Sequence, residues 1–149
     1  MGREVFRHEH RVTYREITVG NHIYYARYLE LLEEARGEFS RALGWPVIKL
    51  QDADMIFPVV ECRIRYKAPA RYDDLLITEL WITQIDRVRV GFAYRIVESG
   101  SQKLIAEAET LHACTGVNEK PKRIPEELAA SFRGFLGVSP LSSIKETTP

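Results

Sequence analysis

Residues 5–16, VFRHEHRVTYRE, alternate in polarity. Phe6, His8, His10, Val12 and Tyr14 share one side, and Arg7, Glu9, Arg11, Thr13 and Arg15 the other. This period of two predicts a strand with one wetter face. ITVGNH follows as a turn around Gly20-Asn21. Over residues 24–43 the period lengthens. Tyr28, Leu31, Leu32, Ala35, Phe39, Ala42 and Leu43 recur at steps of three and four, with Glu30, Glu33, Gly37 and Arg41 opposite. The spacing predicts an amphipathic helix of some five turns, closed by Gly44 ahead of Trp45-Pro46. Gly37 interrupts its middle, where glycine costs ~1 kcal/mol relative to alanine. Either a neighbour packs closely there or the position is tolerant.

Residues 46–54 read as a short helical turn or loop, and then strand follows strand: 56–67, 75–85, 88–98 and 103–117. The turns between them are APARYDD, Asp86-Arg87 and Ser99-Gly100-Ser101. In the first of these strands Cys62, Ile64 and Tyr66 alternate with Arg63, Arg65 and Lys67. In the last, Ile105, Ala108, Leu111 and Ala113 break simple alternation, which points to a bulge. After Pro121 and Pro125, EELAASFRGFL predicts a short C-terminal helix, and the Ser-, Thr- and Pro-rich residues 138–149 a flexible tail. A strand, one long helix and a meander of four strands make an α+β domain over residues 1–137, an antiparallel sheet with a helix on one face. One helix covers only the middle of such a sheet. The edge strand and the uncovered apolar surface then call for a second copy of the chain.

Length and composition narrow the partners. The 149 residues suit one domain, and 45% apolar with 28% charged residues is ordinary for a soluble one. Lys plus Arg and Asp plus Glu are both 21, so no bulk charge favours nucleic acid or an anionic membrane, and neither is expected as a partner. No apolar run approaches ~18 residues, so no membrane span is expected. The opening MGREVFRHEHRV lacks the apolar stretch of a secretory signal. Cys62 and Cys114 are too few for a disulfide scaffold or a four-thiolate zinc site; both read as core residues in a reducing compartment, hence the cytoplasm. His8, His10 and His112 have no cysteine or carboxylate at ligand spacing, so neither a metal site nor a cofactor is expected.

Two segments, in order, carry a resemblance. Asn21-His22-Ile23-Tyr24-Tyr25-Ala26-Arg27-Tyr28-Leu29 runs on to Glu33-Glu34-Ala35-Arg36, and Tyr66, Pro69, Ala70 and Asp73-Asp74-Leu75 follow. Together they resemble the 4-hydroxybenzoyl-CoA thioesterase branch of the hotdog fold over roughly residues 8–130. The resemblance implies a five-stranded antiparallel sheet wrapped around one long helix. It implies hydrolysis of an acyl-CoA, or of an acyl-carrier-protein thioester in polyketide-type synthesis. It also implies a cleft between subunits of a homodimer or homotetramer. The family position for the amide that holds the thioester oxygen falls on Tyr25. Free N–H groups and the dipole at a helix N-terminus suit a developing oxyanion.

One departure bears on the chemistry. The family reads D-x-D-x-x-G-H in the turn, and its second Asp is nucleophile or general base. Aligned on His22, the acid positions are Glu16 and Thr18, and the family Gly is Asn21. A threonine hydroxyl cannot replace a carboxylate base. His22, whose ordinary pKa is near neutrality, can act instead with Asn21. A carboxylate from Glu16, Glu33 or Glu34 is a second arrangement. A third has no carboxylate base and resembles the enediyne thioesterases, with Asn21 and Arg36 polarising the carbonyl. Thr18 counts among the candidate catalytic residues or else hydrogen-bonds backbone in the turn, and Tyr24 lines the acyl site or belongs to the core. A non-catalytic acyl-CoA-binding protein stays open. Arg63, Arg65, Lys67 and Arg71 form a basic strip, read either as contacts to CoA phosphates, Arg71 and Lys67 foremost, or as a wet face paired with acids such as Glu79.

Overall fold

The computed structural model describes residues 4–141. The long strands are β1 (Phe6–Arg11), β4 (Val59–Tyr66), β5 (Leu75–Ile85), β6 (Arg89–Glu98) and β7 (Leu104–Ala113). They form one antiparallel sheet in the order β1-β5-β6-β7-β4. The two-residue strands β2 (Ile17–Thr18) and β3 (His22–Ile23) pair as a separate small hairpin. The long helix α1 (Tyr28–Ala42) lies against the sheet, with α2 (Val47–Asp52) beyond its C-terminus and α3 (Glu126–Arg133) late in the chain. This is the hotdog layout, a sheet around one long helix. The core forms where Leu31, Leu32, Ala35 and Phe39 of α1 meet Leu76, Leu80, Phe92, Tyr94 and Ile96 of the sheet. Phe132 of α3 stacks on Phe39 at 6.1 Å and closes one end.

Several expectations need correction. β1 stops at Arg11, not at residue 16, because a 3-10 turn over Tyr14–Glu16 follows. The Glu16 carboxylate accepts the Thr13 N–H at 2.7 Å, and Tyr14 is left exposed instead of continuing the inner face. A second 3-10 turn, Tyr25–Arg27, precedes α1, so the α-helix itself starts at Tyr28. The four later strands are not a simple meander: β4 pairs with β7 at the far edge, and β1 takes the place beside β5. Cys62 lies exposed on that edge strand, and only Cys114 is buried. The β7 bulge is present at Ile105, skipped between the Ile96–Ala106 and Val97–Leu104 pairs. Beyond it the buried side is Ala106, Ala108, Thr110 and His112, which includes polar positions that the apolar pattern does not mark.

A second bulge, at Thr83 of β5, faces Gly91, where a Cβ would stand 2.6 Å from Thr83 Oγ1. After α3 the chain bonds along β5: Ile82 N–H donates to Phe135 O and Gly137 N–H to Ile82 O. Trp81 Nε1 donates to Val138 O at 2.9 Å, and Leu141 is buried. Of the expected tail, residues 142–149 lie outside the described residues.

Candidate active site

The β2–β3 hairpin sets Thr18 opposite His22 immediately ahead of the helical segment. Its turn needs a positive φ at Gly20 (89°) and Asn21 (58°). The hairpin is pinned from outside. Ile23 N–H donates to Ala70 O at 2.9 Å, and Tyr24 N–H to Glu16 O at 3.0 Å. Arg71 Nη1 donates to the carbonyls of Gly20 and Asn21 at 3.2 and 3.4 Å. Asn21 Oδ1 accepts the Tyr72 N–H at 3.2 Å.

An open pocket of about 580 Å³ lies between this hairpin, the start of the helix and the end of β4. Thr18, His22, Tyr24, Tyr25, Tyr66 and Lys67 line it. Tyr25 opens the helical segment, so its N–H has no carbonyl earlier in that segment to bond. Four tyrosines make an aromatic wall, with ring centroids 5.0 Å apart for Tyr24–Tyr25, 6.3 Å for Tyr25–Tyr66 and 5.4 Å for Tyr28–Tyr66. The Tyr66 hydroxyl donates to Tyr25 O at 3.2 Å and ties β4 to the helix start. Burial pushes the Tyr28 and Tyr66 phenols above their ordinary value, so both are neutral at neutral pH.

His22 is half-buried, and its Nδ1 is 3.3 Å from Ile23 O. A carbonyl only accepts, so Nδ1 is the donor in that contact. The ring lies over Gly20, where a Cβ would come within 3.2 Å of Cδ2 and 3.4 Å of Nε2.

No carboxylate among the described residues lines this pocket. Glu16 is buried, and besides Thr13 it takes His10 Nε2 at 2.9 Å. Glu34 takes His8 Nε2 at 2.6 Å and His10 Nδ1 at 3.2 Å. The fold thus brings to His8 and His10 carboxylates that their sequence spacing does not suggest. Burial pushes the His10 pKa down, but the Glu16 and Glu34 carboxylates outweigh it and hold His10 above its ordinary value. Burial likewise raises Glu16, and the Thr13 amide with His10 outweighs that and holds it low. Glu33 lines a different cavity, further along α1.

Of the residues expected from sequence, the fold brings Thr18, His22, Tyr24, Tyr25 and Lys67 together. Asn21 is turned to the Tyr72 amide, and Arg71 grips the back of the turn. Arg36 is two helical turns beyond Tyr28, donating from Nη1 to the Tyr94 hydroxyl at 3.0 Å. Arg63 pairs with Glu109 at 2.8 Å, whereas Glu79 pairs with Arg7 at 3.3 Å and does not serve the β4 basic row. Tyr66 and Tyr28 are the aromatic lining residues not expected at the site. Tyr66 stands in the second resemblance segment, and Tyr28 belongs to the apolar stripe of the helix pattern.

Residues 12–132 match the profile of the thioesterase-like superfamily, a span that holds the hairpin, the pocket and the whole of α1. The chain belongs to the thioesterase-like superfamily. Within that superfamily it is similar to the acyl-CoA thioester hydrolase YbgC of Escherichia coli, 32% identical over 134 residues, covering 89% of this chain and 99% of that protein. It is also similar to the 1,4-dihydroxy-2-naphthoyl-CoA hydrolase of Synechocystis, 29% identical over 121 residues, covering 78% and 86% of the two chains. The crystal structure of a 1,4-dihydroxy-2-naphthoyl-CoA thioesterase from Synechocystis shares the fold, with a TM-score of 0.81 at 24% identity over 87% of this chain and 96% of that one. Among the described residues of this superfamily member no helix is long and apolar enough to cross a membrane.

Proposed function

We propose that this superfamily member hydrolyses an acyl-CoA thioester to a free acid and CoA at the N-terminus of α1, by direct attack of water. The observation that carries the reading is that His22 and Tyr25, the residue that opens the helical segment, line one open pocket with no carboxylate among its described lining residues. The thioester oxygen rests on the Tyr25 N–H. Water bonded to His22 Nε2 attacks the carbonyl carbon, and His22 takes its proton. The oxyanion gains from the Tyr25 amide, a contact worth about 2.7–4 kcal/mol of barrier, and from the helix dipole. Collapse expels the CoA sulfur, which receives the proton from the imidazolium. Thr18, across the hairpin from His22, hydrogen-bonds the water without acting as base. Tyr24 lines the acyl entrance, and Lys67 at the rim meets the CoA phosphates.

The acting unit is a homodimer, alone or doubled into a tetramer. Among the described residues β4 is an edge strand with no strand on its outer side, and Val59, Val60 and Tyr66 of β4 are about half exposed, as are Leu29, Tyr24 and Tyr25 at the start of the helix. A second copy covers this surface and narrows the pocket mouth. A thiol-bearing cofactor as product and two unpaired cysteines both fit the reducing cytoplasm.

Thiol release from a panel of acyl-CoAs, beside the same acyl groups on a carrier protein, tests the reading. Turnover of acyl-CoA is the expected result. Faster turnover on the carrier protein would assign the alternative substrate, and tight binding without thiol release would make the chain a non-catalytic acyl-CoA binder.

A further inference from the structure

Gly37 lies in the middle of α1, where glycine weakens a helix relative to alanine. Close packing does not account for it: a Cβ built there meets no atom within 4 Å. The open space belongs to a second cavity of about 380 Å³, separate from the pocket at the helix N-terminus. Phe39, Met55, Phe92, Leu128 and Phe132 supply much of its wall, so α1, α3, the sheet and the segment after α2 all contribute.

Three of its polar side chains are held from within the protein. Arg36 donates to Tyr94, and Ser40 donates to Trp45 O. His112 is bonded at both ring nitrogens, to Phe57 O and to Thr110 Oγ1. Glu33 and Gln51 also line it, but most of the wall is apolar, which suits hydrocarbon better than a polar ligand.

The direction also fits. At a rise of 1.5 Å per residue, Gly37 lies roughly 15–20 Å along the helix from Tyr25. The intervening surface runs between α1 and β4. Tyr28 packs on Tyr66 at 5.4 Å at one end, and at the other the Arg36 guanidinium is close enough to Cys62 to offset part of the rise that burial gives its thiol. Tyr66 and Cys62, four residues apart, are on the same face of β4.

We infer that this cavity receives the distal end of a long, unbranched apolar acyl chain whose thioester carbonyl rests at the Tyr25 amide, and that Gly37 is the position that keeps it open. The inference rests on the thioesterase reading and names the substrate class for it. Short acyl groups do not reach Gly37; long ones gain burial there, about fourfold in specificity per methylene.

The test measures kcat/KM for butyryl-CoA and hexadecanoyl-CoA, whose extended chain is long enough to reach Gly37, with the wild type, Gly37→Ala and Gly37→Leu. The leucine has room to stand and better helix propensity, so the variant folds, and Tm verifies it. Excluding three or four methylenes is expected to lower the hexadecanoyl-to-butyryl ratio roughly 100-fold in Gly37→Leu. In Gly37→Ala the ratio should fall far less, with Tm raised. An unchanged ratio in Gly37→Leu overturns the inference. Calorimetric binding of the non-hydrolysable hexadecanoyl and butyryl thioethers of CoA gives an independent reading. If the wild type turns over neither substrate, the thioesterase reading fails. The same drop in the hexadecanoyl-to-butyryl affinity ratio would then still place the chain in the cavity, and its absence would remove it.

Discussion

Acidification is expected to destabilise the fold through His112. This residue ends a buried chain of hydrogen bonds: Arg36 Nη1 to Tyr94 Oη at 3.0 Å, Tyr94 Oη to Thr110 Oγ1 at 2.6 Å, Thr110 Oγ1 to His112 Nε2 at 2.9 Å, and His112 Nδ1 to Phe57 O at 3.0 Å. Its ends fix its polarity. Arg36 only donates and the carbonyl only accepts, so each hydroxyl donates toward His112, and the ring is neutral with its proton on Nδ1. A proton on Nε2 would turn the Thr110 and Tyr94 hydroxyls around and aim the tyrosine O–H at a cation. Burial first, and then the charge of Arg36, depress the His112 pKa from 6.5 to about 4, and the Phe57 carbonyl offsets only part of this. The unfolded chain therefore takes up the proton first. Stability is lost as pH falls below 6.5, and the loss is complete near pH 4. That interval is worth about 3 kcal/mol at 1.36 kcal/mol per pKa unit. Urea unfolding at a series of pH values, for wild type and His112→Gln, isolates it, because glutamine offers a donor and an acceptor without titrating. The stability difference is expected to move by about 3 kcal/mol in the variant's favour between pH 6.5 and 4. Parallel curves, or a ring resonance titrating near 6.5 by NMR, would show that His112 does not carry this acid sensitivity.

His10 works with the opposite sign. Its raised pKa gives stability that is full below 6.5 and is lost as pH climbs through the folded value, whereas lowered Glu16 contributes above 4.5 and loses its share as pH drops. The pair contributes in full between these two ordinary values, so Tm of His10→Gln should lack the alkaline decline of the wild type; an identical pH profile would argue against the clamp. Arg71→Ala should slow hydrolysis of acyl-CoA and of a truncated thioester lacking the nucleotide to similar degrees, because Arg71 grips the Gly20 and Asn21 carbonyls. A loss confined to acyl-CoA would instead show that its main partner is phosphate. Light scattering should give a multiple of the 17.2 kDa chain mass, and a folded species at 17.2 kDa itself would contradict pairing at the β4 edge.

The helix and the strands were legible because burial imposes a period. Leu31, Leu32, Ala35 and Phe39 are spaced for one face, and they are the residues buried beneath α1. Neighbour order in the sheet carries no such local mark. The strand at 59–66 has a mostly exposed side-chain row, and nothing in its pattern says that its partner is β7, not β5. The early end of β1 depends on one carboxylate: alternation runs on to residue 16, but Glu16 folds back onto the Thr13 amide. In the pocket, Thr18, His22 and Tyr25 are contiguous enough in sequence to be placed together. Tyr66 arrives from β4, and the removal of Glu16 and Glu34 to His8 and His10 is a long-range event. Gly37 was conspicuous as a helix-weakening residue, but its meaning required the empty space above it.

Under the proposed function His22 supplies the base, at a turn where the branch that the chain resembles carries an acid. The direct measurement is kcat of His22→Ala on an acyl-CoA that the wild type hydrolyses, with Tm confirming the fold. General-base assistance is typically worth about 10²–10⁴-fold, so kcat should drop by that factor, and Thr18→Val should cost much less. Full activity in His22→Ala, together with its abolition in Glu33→Gln or Glu34→Gln, would contradict the account and make a helix carboxylate the catalyst.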